Sequence, residues 1–326
     1  MEVVTFGEAM IRLSPPHFRR LEQTQTFDAT VGGAELNVAV GVSRLGLSSS
    51  WVSCLPENAL GRMTRNKARE MGVNTDSIRW DKEGRMGLYF VEYGSSPRPS
   101  SVLYDRSASS ISRLTAPAFD WDEIFAGAKV FHTTGITAAL SDQTAEEVRL
   151  AMEAAHRCGV TVTYDLNYRA RLWTEERARA VQEPLMSLVD VLITTEEDTL
   201  KVFQINGTDY REVAQRLAER YGIPTVAITL RGDLSVLRNE WTSIAYSRGQ
   251  LFDDRTYEIE IVDRVGGGDA YAAGFIFGLL TGGTAQGVRF GNAMSALKQT
   301  NWSDFCWASR QEVETLMGGS GLRILR

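Results

Sequence analysis

Cysteine and histidine are both scarce. The three cysteines, Cys54, Cys158 and Cys306, lie far apart. They offer neither metal-ligand spacing nor a disulfide framework, so reduced thiols in a cytoplasm are expected. The three histidines, His17, His132 and His156, are scattered too, which argues against a zinc site. No run of Lys or Arg concentrates positive charge, and the formal net charge is −6. Nonspecific nucleic-acid binding, which needs a basic face, is therefore not expected. No segment approaches the ~18 uninterrupted apolar residues of a membrane span. The opening MEVVTFGEAM has no basic n-region and reads as a first strand rather than a signal. Repeats and low-complexity segments are also missing.

What is present is an ordinary globular composition over 326 residues, 43% hydrophobic and 23% charged. Short β-branched runs at 3–6, 51–54, 129–134, 160–165, 190–195, 225–230 and 257–262 read as strands. Helical periods separate them, at 36–45, in SDQTAEEVRLAMEAAHRCG and in EERARAVQEPLMSLV. In the first of these, Leu36, Val40 and Val42 or Leu45 are expected on one side. Such alternation predicts an α/β fold with a doubly wound, mostly parallel sheet and helices on both faces. Two stretches break it, at 12–33 and 85–112. Both read as extended hairpins, and we expect them to form a small β-sheet lid over the strand C-termini of a single domain spanning 1–326.

The segment DRVGGGDAYAAG (263–274) sits between an alternating strand and an apolar helix expected at 269–280. Glycine there permits positive φ and close approach of a ligand to the backbone. Free N–H groups of a first helical turn then favour an anion, and phosphate is the usual occupant. Asp269 beside such a site has two readings. It is a helix N-cap, or it is a general base that takes a proton from a substrate hydroxyl during phosphoryl transfer. A dinucleotide G-x-G-x-x-G needs a glycine where Tyr271 stands. No lysine follows a glycine, so there is no Walker A loop, and no H-R-D marks a protein kinase.

The pattern Asp263-Arg-Val-Gly-Gly-Gly-Asp269 resembles the D-x-x-G-A-G-D signature of the ribokinase-like (PfkB) carbohydrate kinases. VGGAELNVAV (31–40) resembles that family's N-terminal glycine pair. GLYFVEY (87–93), VLYDR (102–106), TTGIT (133–137), DLNYRARLW (165–173) and the final SGLRILR are similar to its 2-keto-3-deoxygluconate kinase branch. The resemblance spans essentially the whole chain. It implies an ATP-dependent kinase, with magnesium, that phosphorylates a sugar acid at its terminal hydroxyl. It further implies that Asp269 is the base and that Gly266, Gly267 and Gly268 form an anion hole. Gly33 and Asn37 would lie near sugar hydroxyls, Tyr89 and Tyr104 would line the lid side, and Arg106 and Arg169 would recognise the substrate. Glu197 would help hold magnesium through water, and Arg231 and Asn292 would neighbour the nucleotide. A carboxylate-bearing substrate suits guanidinium groups, whose fork matches it.

The chain departs from the family pattern in places. Gly267 stands for the usual alanine, and Thr194 for the asparagine that begins the metal-linked pattern. TLRGDLSVLRNEW (229–241) replaces K-x-G-x-x-G, and TNWSDF replaces a Gly-Asp turn. A fructokinase, a ribokinase-like enzyme, a kinase for the galacto epimer and a catalytically silent sugar-binding protein stay open as alternatives. A lid with one exposed face suggests a dimer formed through it.

Overall fold

The computed structural model describes residues 1–207 and 209–319; the SGLRILR segment lies outside them. Its strands are β1 (Val3–Phe6), β2 (Met10–Ser14), β3 (Asp28–Gly32), β4 (Ser49–Pro56), β5 (Ile78–Asp81), β6 (Gly87–Glu92) and β7 (Ser101–Asp105). There follow β8 (Val130–Thr134), β9 (Thr161–Asp165), β10 (Val191–Thr195), β11 (Thr225–Ser235), β12 (Arg238–Ser247), β13 (Gln250–Asp253) and β14 (Tyr257–Glu260). Ten of them build one sheet in the order β13-β12-β11-β10-β9-β8-β1-β4-β5, with β14 beside β12. Every pairing from β5 to β11 is parallel. Parallel neighbours require crossovers, and the helices supply them on both faces. The mostly parallel, doubly wound α/β architecture is as expected.

Side chains alternate along each strand and so feed two cores. Val3, Val130 and Val191 meet the helix Gly267–Gly282, while Val4, Phe131 and Leu192 meet the helices Asp142–Arg157 and Glu175–Leu185. Each such burial contributes roughly 1.5–3 kcal/mol of transfer free energy. A register slip of one residue would forfeit it on both faces at once, which fixes the strand ends relative to one another.

Three local departures from expectation have plain causes. The helix Ala34–Arg44 is buried on two sides, not one. Leu36 and Val40 face the lid and β4, whereas Val38 and Val42 join the core around Gly267–Gly282. The segment 229–241 forms a long antiparallel hairpin of β11 and β12. The helix expected at 269–280 starts two residues earlier, at Gly267. It is buried without a break from Ala270 to Gly278 and lies between the helices Ala34–Arg44 and Thr284–Gln299. Its glycines permit that closeness: a Cβ on Gly274 would stand 2.5 Å from the Phe290 carbonyl oxygen.

The two irregular segments do form a separate sheet, ordered β3-β2-β6-β7. Along β6, Tyr89 and Val91 point inward and join Met10 and Tyr93 in a small cluster. β7 is an edge strand and mostly exposed. Among the described residues, no helix is long and apolar enough to cross a membrane.

Candidate active site

The C-terminal ends of β8 and β9 stand level, and β10 runs two residues beyond them. Thr134 is opposite Asp165, and Asp165 is opposite Ile193. Ligands of open α/β sheets bind beyond such ends. Three helices begin at the same place, capped by Gly33, Thr195 and Gly266, and all three caps line one cleft. The lid roofs it with Tyr89, Val102, Tyr104 and Arg106. The cleft is open to solvent on one side and is walled by both the main sheet and the lid.

Gly266 is the N-cap of the helix Gly267–Gly282, with φ +86° in the left-handed region. Gly267 and Gly268 fall inside the first turn, and Asp269 is the third helical residue. The N-cap reading of Asp269 is thereby overturned. The anion-hole reading is also refined. Gly267 donates its N–H to the Arg264 carbonyl at 3.2 Å, closing the turn. The other N–H groups of the first turn have no intrahelical acceptor.

Asp269 Oδ2 accepts from Asn37 Nδ2 at 2.6 Å, and Asn37 Oδ1 accepts from the Gly33 N–H at 3.3 Å. Burial pushes the Asp269 carboxyl up to about 6; the Asn37 amide opposes this and the charge of Asp304 adds to it. The carboxyl therefore changes its charge closer to neutrality than an ordinary aspartate does. Asp165, at the end of β9, is pushed up to about 8 by burial and by Asp269 and Asp198.

Arg106 pairs with Glu8, which also accepts from Ser109 Oγ at 2.5 Å. The Arg106 guanidinium lies 5.5 Å from the Tyr104 ring centre, and Tyr104 stacks on Tyr89 at 5.9 Å. Arg169 lines the same cleft. Asp165 Oδ1 accepts the Asn167 N–H at 3.1 Å, and Asn167 takes a positive φ of 39°. That turn delivers Arg169, which is exposed into the cleft and donates to the Tyr168 carbonyl at 3.0 Å. Gly33, Asn37, Tyr89, Tyr104, Arg106, Arg169, Gly266, Gly267, Gly268 and Asp269 thus come together on one cleft, and Arg231 reaches it with its guanidinium 5.1 Å from the Trp241 ring centre.

Two expected residues are placed elsewhere. Glu197 is exposed and paired with Lys201 at 2.5 Å; it lines an adjoining groove, shared with Arg231 and Asp198, rather than the cleft itself. Its neighbour Asp198 lines both, because position 198 lies on the inward side of that helix's first turn, and burial raises its carboxyl. Asn292 is buried in the helix Thr284–Gln299 and is not among the cleft residues; neither polar atom of its amide has a hydrogen-bond partner. Sequence reasoning missed Glu8, Asp165, Asp198 and Asp304. Asp165 opens DLNYRARLW and Asp198 directly follows Glu197, so both are within reach of the sequence; Asp304 carries no local signal beyond its place in TNWSDF.

A glycine-capped helix end, a raised carboxyl beside it and an arginine-bearing lid define the site of a small-molecule phosphotransferase. The description "pfkB family carbohydrate kinase" matches residues 1–302. The chain belongs to this family of carbohydrate kinases. A 2-dehydro-3-deoxygalactonokinase of Haloferax volcanii is 37% identical over 100% of this chain and 99% of its own. A 5-dehydro-2-deoxygluconokinase of Bacillus licheniformis is 29% identical over 91% and 89%. Among solved structures, the 2-dehydro-3-deoxygluconokinase of Thermotoga maritima superposes with a TM-score of 0.95 at 44% identity, covering 98% of both chains. An E. coli chain described as "a putative Ribokinase II in complex with ATP and Mg+2" shares the fold, with a TM-score of 0.85 at 21% identity over 98% and 99%.

Proposed function

We propose that this kinase transfers the γ-phosphoryl group of ATP to the terminal hydroxyl of 2-keto-3-deoxygluconate. The observation that carries this reading is that Asp269, Arg106 and Arg169 line one cleft. In this reading the arginines take the substrate carboxylate and so point the far hydroxyl at Asp269. Asp269 accepts the hydroxyl proton while Asn37 fixes the carboxylate's orientation. N–H groups at the Gly266-capped helix start stabilise charge on the transferred group. The relatives named for 2-dehydro-3-deoxy sugar acids support the substrate class.

ATP as donor fits a cytoplasmic enzyme. Magnesium would arrive with the nucleotide and supply charge neutralisation at the phosphates. Among the described residues no group of three or more His, Cys, Asp or Glu side chains forms a metal cage. Glu197 and Asp198 fit the ion as an acidic wall, with phosphate oxygens and water as its remaining ligands. A dimer through the lid fits the exposed edge strand β7, where Leu103 is 51% exposed; sedimentation of the free protein decides it.

The test of substrate is coupled ADP release with 2-keto-3-deoxygluconate, its galacto epimer, fructose and ribose. The keto acids are expected to lead. A neutral ketose preferred over both of them would sink the carboxylate argument. The galacto epimer is the second reading, favoured by the Haloferax relative, and the same panel separates it.

A further inference from the structure

One guanidinium fastens the root of the lid to the glycine loop. Arg12, on β2, is 1% exposed. Its Nη1 donates to Asp304 Oδ1 at 2.7 Å, and its Nη2 stands 2.7 Å from Asp263 Oδ2. Its Nε donates to Ser14 Oγ at 3.0 Å, and it also contacts the Tyr93 hydroxyl. Each carboxylate is tied to the lid a second time. Tyr89 donates to Asp304 Oδ2 at 2.6 Å, and Tyr93 donates to Asp263 Oδ2 at 2.7 Å.

The same two residues hold the turn 263–266. Asp263 Oδ1 accepts the Val265 N–H at 3.0 Å, and its Oδ2 accepts the Ser303 N–H at 3.1 Å. The Asp304 backbone carbonyl lies against Gly266, so close that a Cβ there would be 2.3 Å from it. Lys298 is buried beside them and donates to the Asp263 carbonyl at 2.9 Å. Two buried cations therefore face two buried carboxylates. Such a group is stable only while every member is paired, because removing one leaves an uncompensated charge.

We propose that Arg12 is a positioning residue for phosphoryl transfer, clamping the lid root and the turn 263–266 into one unit so that the first helical turn is aimed at the transferred group. The proposal rests on the kinase reading above. Its physical basis is that a glycine turn has little conformational preference of its own. Its direction must come from outside, and Arg12 holds the Asp263 carboxylate that accepts the Val265 N–H of the turn. Errors of ~1 Å in such aim cost about 100-fold in rate.

The test compares Arg12→Met, Arg12→Lys and Asp304→Asn with wild type, using kcat and KM per folded enzyme and hydrogen exchange of the 265–270 amides. Arg12→Met is expected to lower kcat about 30-fold or more, with the KM for ATP shifted less than about threefold. Arg12→Lys keeps the charge but not the fork, so it recovers part of the loss. The Arg12→Met/Asp304→Asn double variant is expected to cost no more than the worse single one. Arg177→Met, which removes an exposed ion pair with Asp142, is the control. Lowered melting temperature with wild-type kcat in the folded fraction, additive losses in the double variant, or unchanged exchange at 265–270 would each overturn the proposal. If Arg12→Met does not fold, Tyr93→Phe removes a single hydroxyl from the same group and is expected to lower kcat severalfold, again with KM held. If wild type phosphorylates no sugar, the kinase reading fails, and the exchange measurement still decides the clamp.

Discussion

Asn37 and Asp269 meet across 2.6 Å, although 232 residues separate them in the chain. The amide donates to one carboxylate oxygen and is itself anchored by the Gly33 N–H. The Asp269 carboxylate is therefore oriented by the helix start that follows β3, the last strand of the first lid segment. In the proposed reaction its other oxygen takes the substrate proton.

Asp269→Asn keeps the shape of the site and its acceptor for Asn37, so the chain is expected to fold. Loss of the base should lower kcat by about 10²–10⁴. A variant that turns over at close to the wild-type rate would remove Asp269 from the role. Stability should change in the opposite sense. The folded value, about 6, lies above the ordinary 3.8, so the folded state binds the proton more tightly than the unfolded one. Ionised Asp269 thus weakens the fold above that value, and the penalty fades as pH falls towards the ordinary value. Thermal melts should show the Asn variant more stable than wild type at alkaline pH, with the gap closing on acidification.

The same value sets the pH profile. kcat/KM should decline as pH falls through about 6, because protonated Asp269 accepts nothing. Initial rates from acidic to mildly alkaline buffer check this. An acid limb near the ordinary aspartate value would mean that the ionising group is a different one, or that burial of Asp269 is relieved in solution.

Arg106→Leu tests substrate recognition through a ratio. The change also strands Glu8, which is 3% exposed, so the absolute rates will fall for any sugar. A charge-assisted hydrogen bond contributes about 1.5–3 kcal/mol. The keto acid should therefore lose at least about tenfold more kcat/KM than fructose does. Equal losses would show that Arg106 serves structure alone.

The glycines at 266 and 267 should respond differently to alanine. At Gly266 the backbone φ is +86° and the Asp304 carbonyl occupies the Cβ position. Gly266→Ala should cost several kcal/mol or displace the turn, visible as lost activity and a lowered melting temperature. At Gly267 the nearest atom is Gln299 Cγ at 3.3 Å, on a side chain that can yield. Gly267→Ala should stay within about 1 kcal/mol of wild type, since alanine also favours the helical turn.

Much of this was readable in the chain, and for physical reasons. Parallel strands buried on both faces appear as unbroken β-branched runs, so β8, β9, β10 and the first half of β11 stood out. The glycine loop and Asp269 stood out because that combination has few uses. The helix start was misplaced because glycine is a poor helix former in general; in a first turn, with Gly266 already supplying the left-handed cap, Gly267 and Gly268 meet no such objection. Arg12 left no trace. It occupies a lid strand where a polar residue reads as solvent-facing, and its partners lie near the other end of the chain. Asp304 escaped for the same reason.

Arg12 and Asp304 are 292 residues apart. At synthesis rates of ~5–20 residues per second, roughly 15–60 s pass between the emergence of the one and of the other. During that interval the lid strands exist without the carboxylates that neutralise their buried cation, and Asp269 itself has yet to be made for most of it. Chains cut short before residue 301 carry every strand of both sheets and the Asp263 arm of the clamp, and lack only its Asp304 arm.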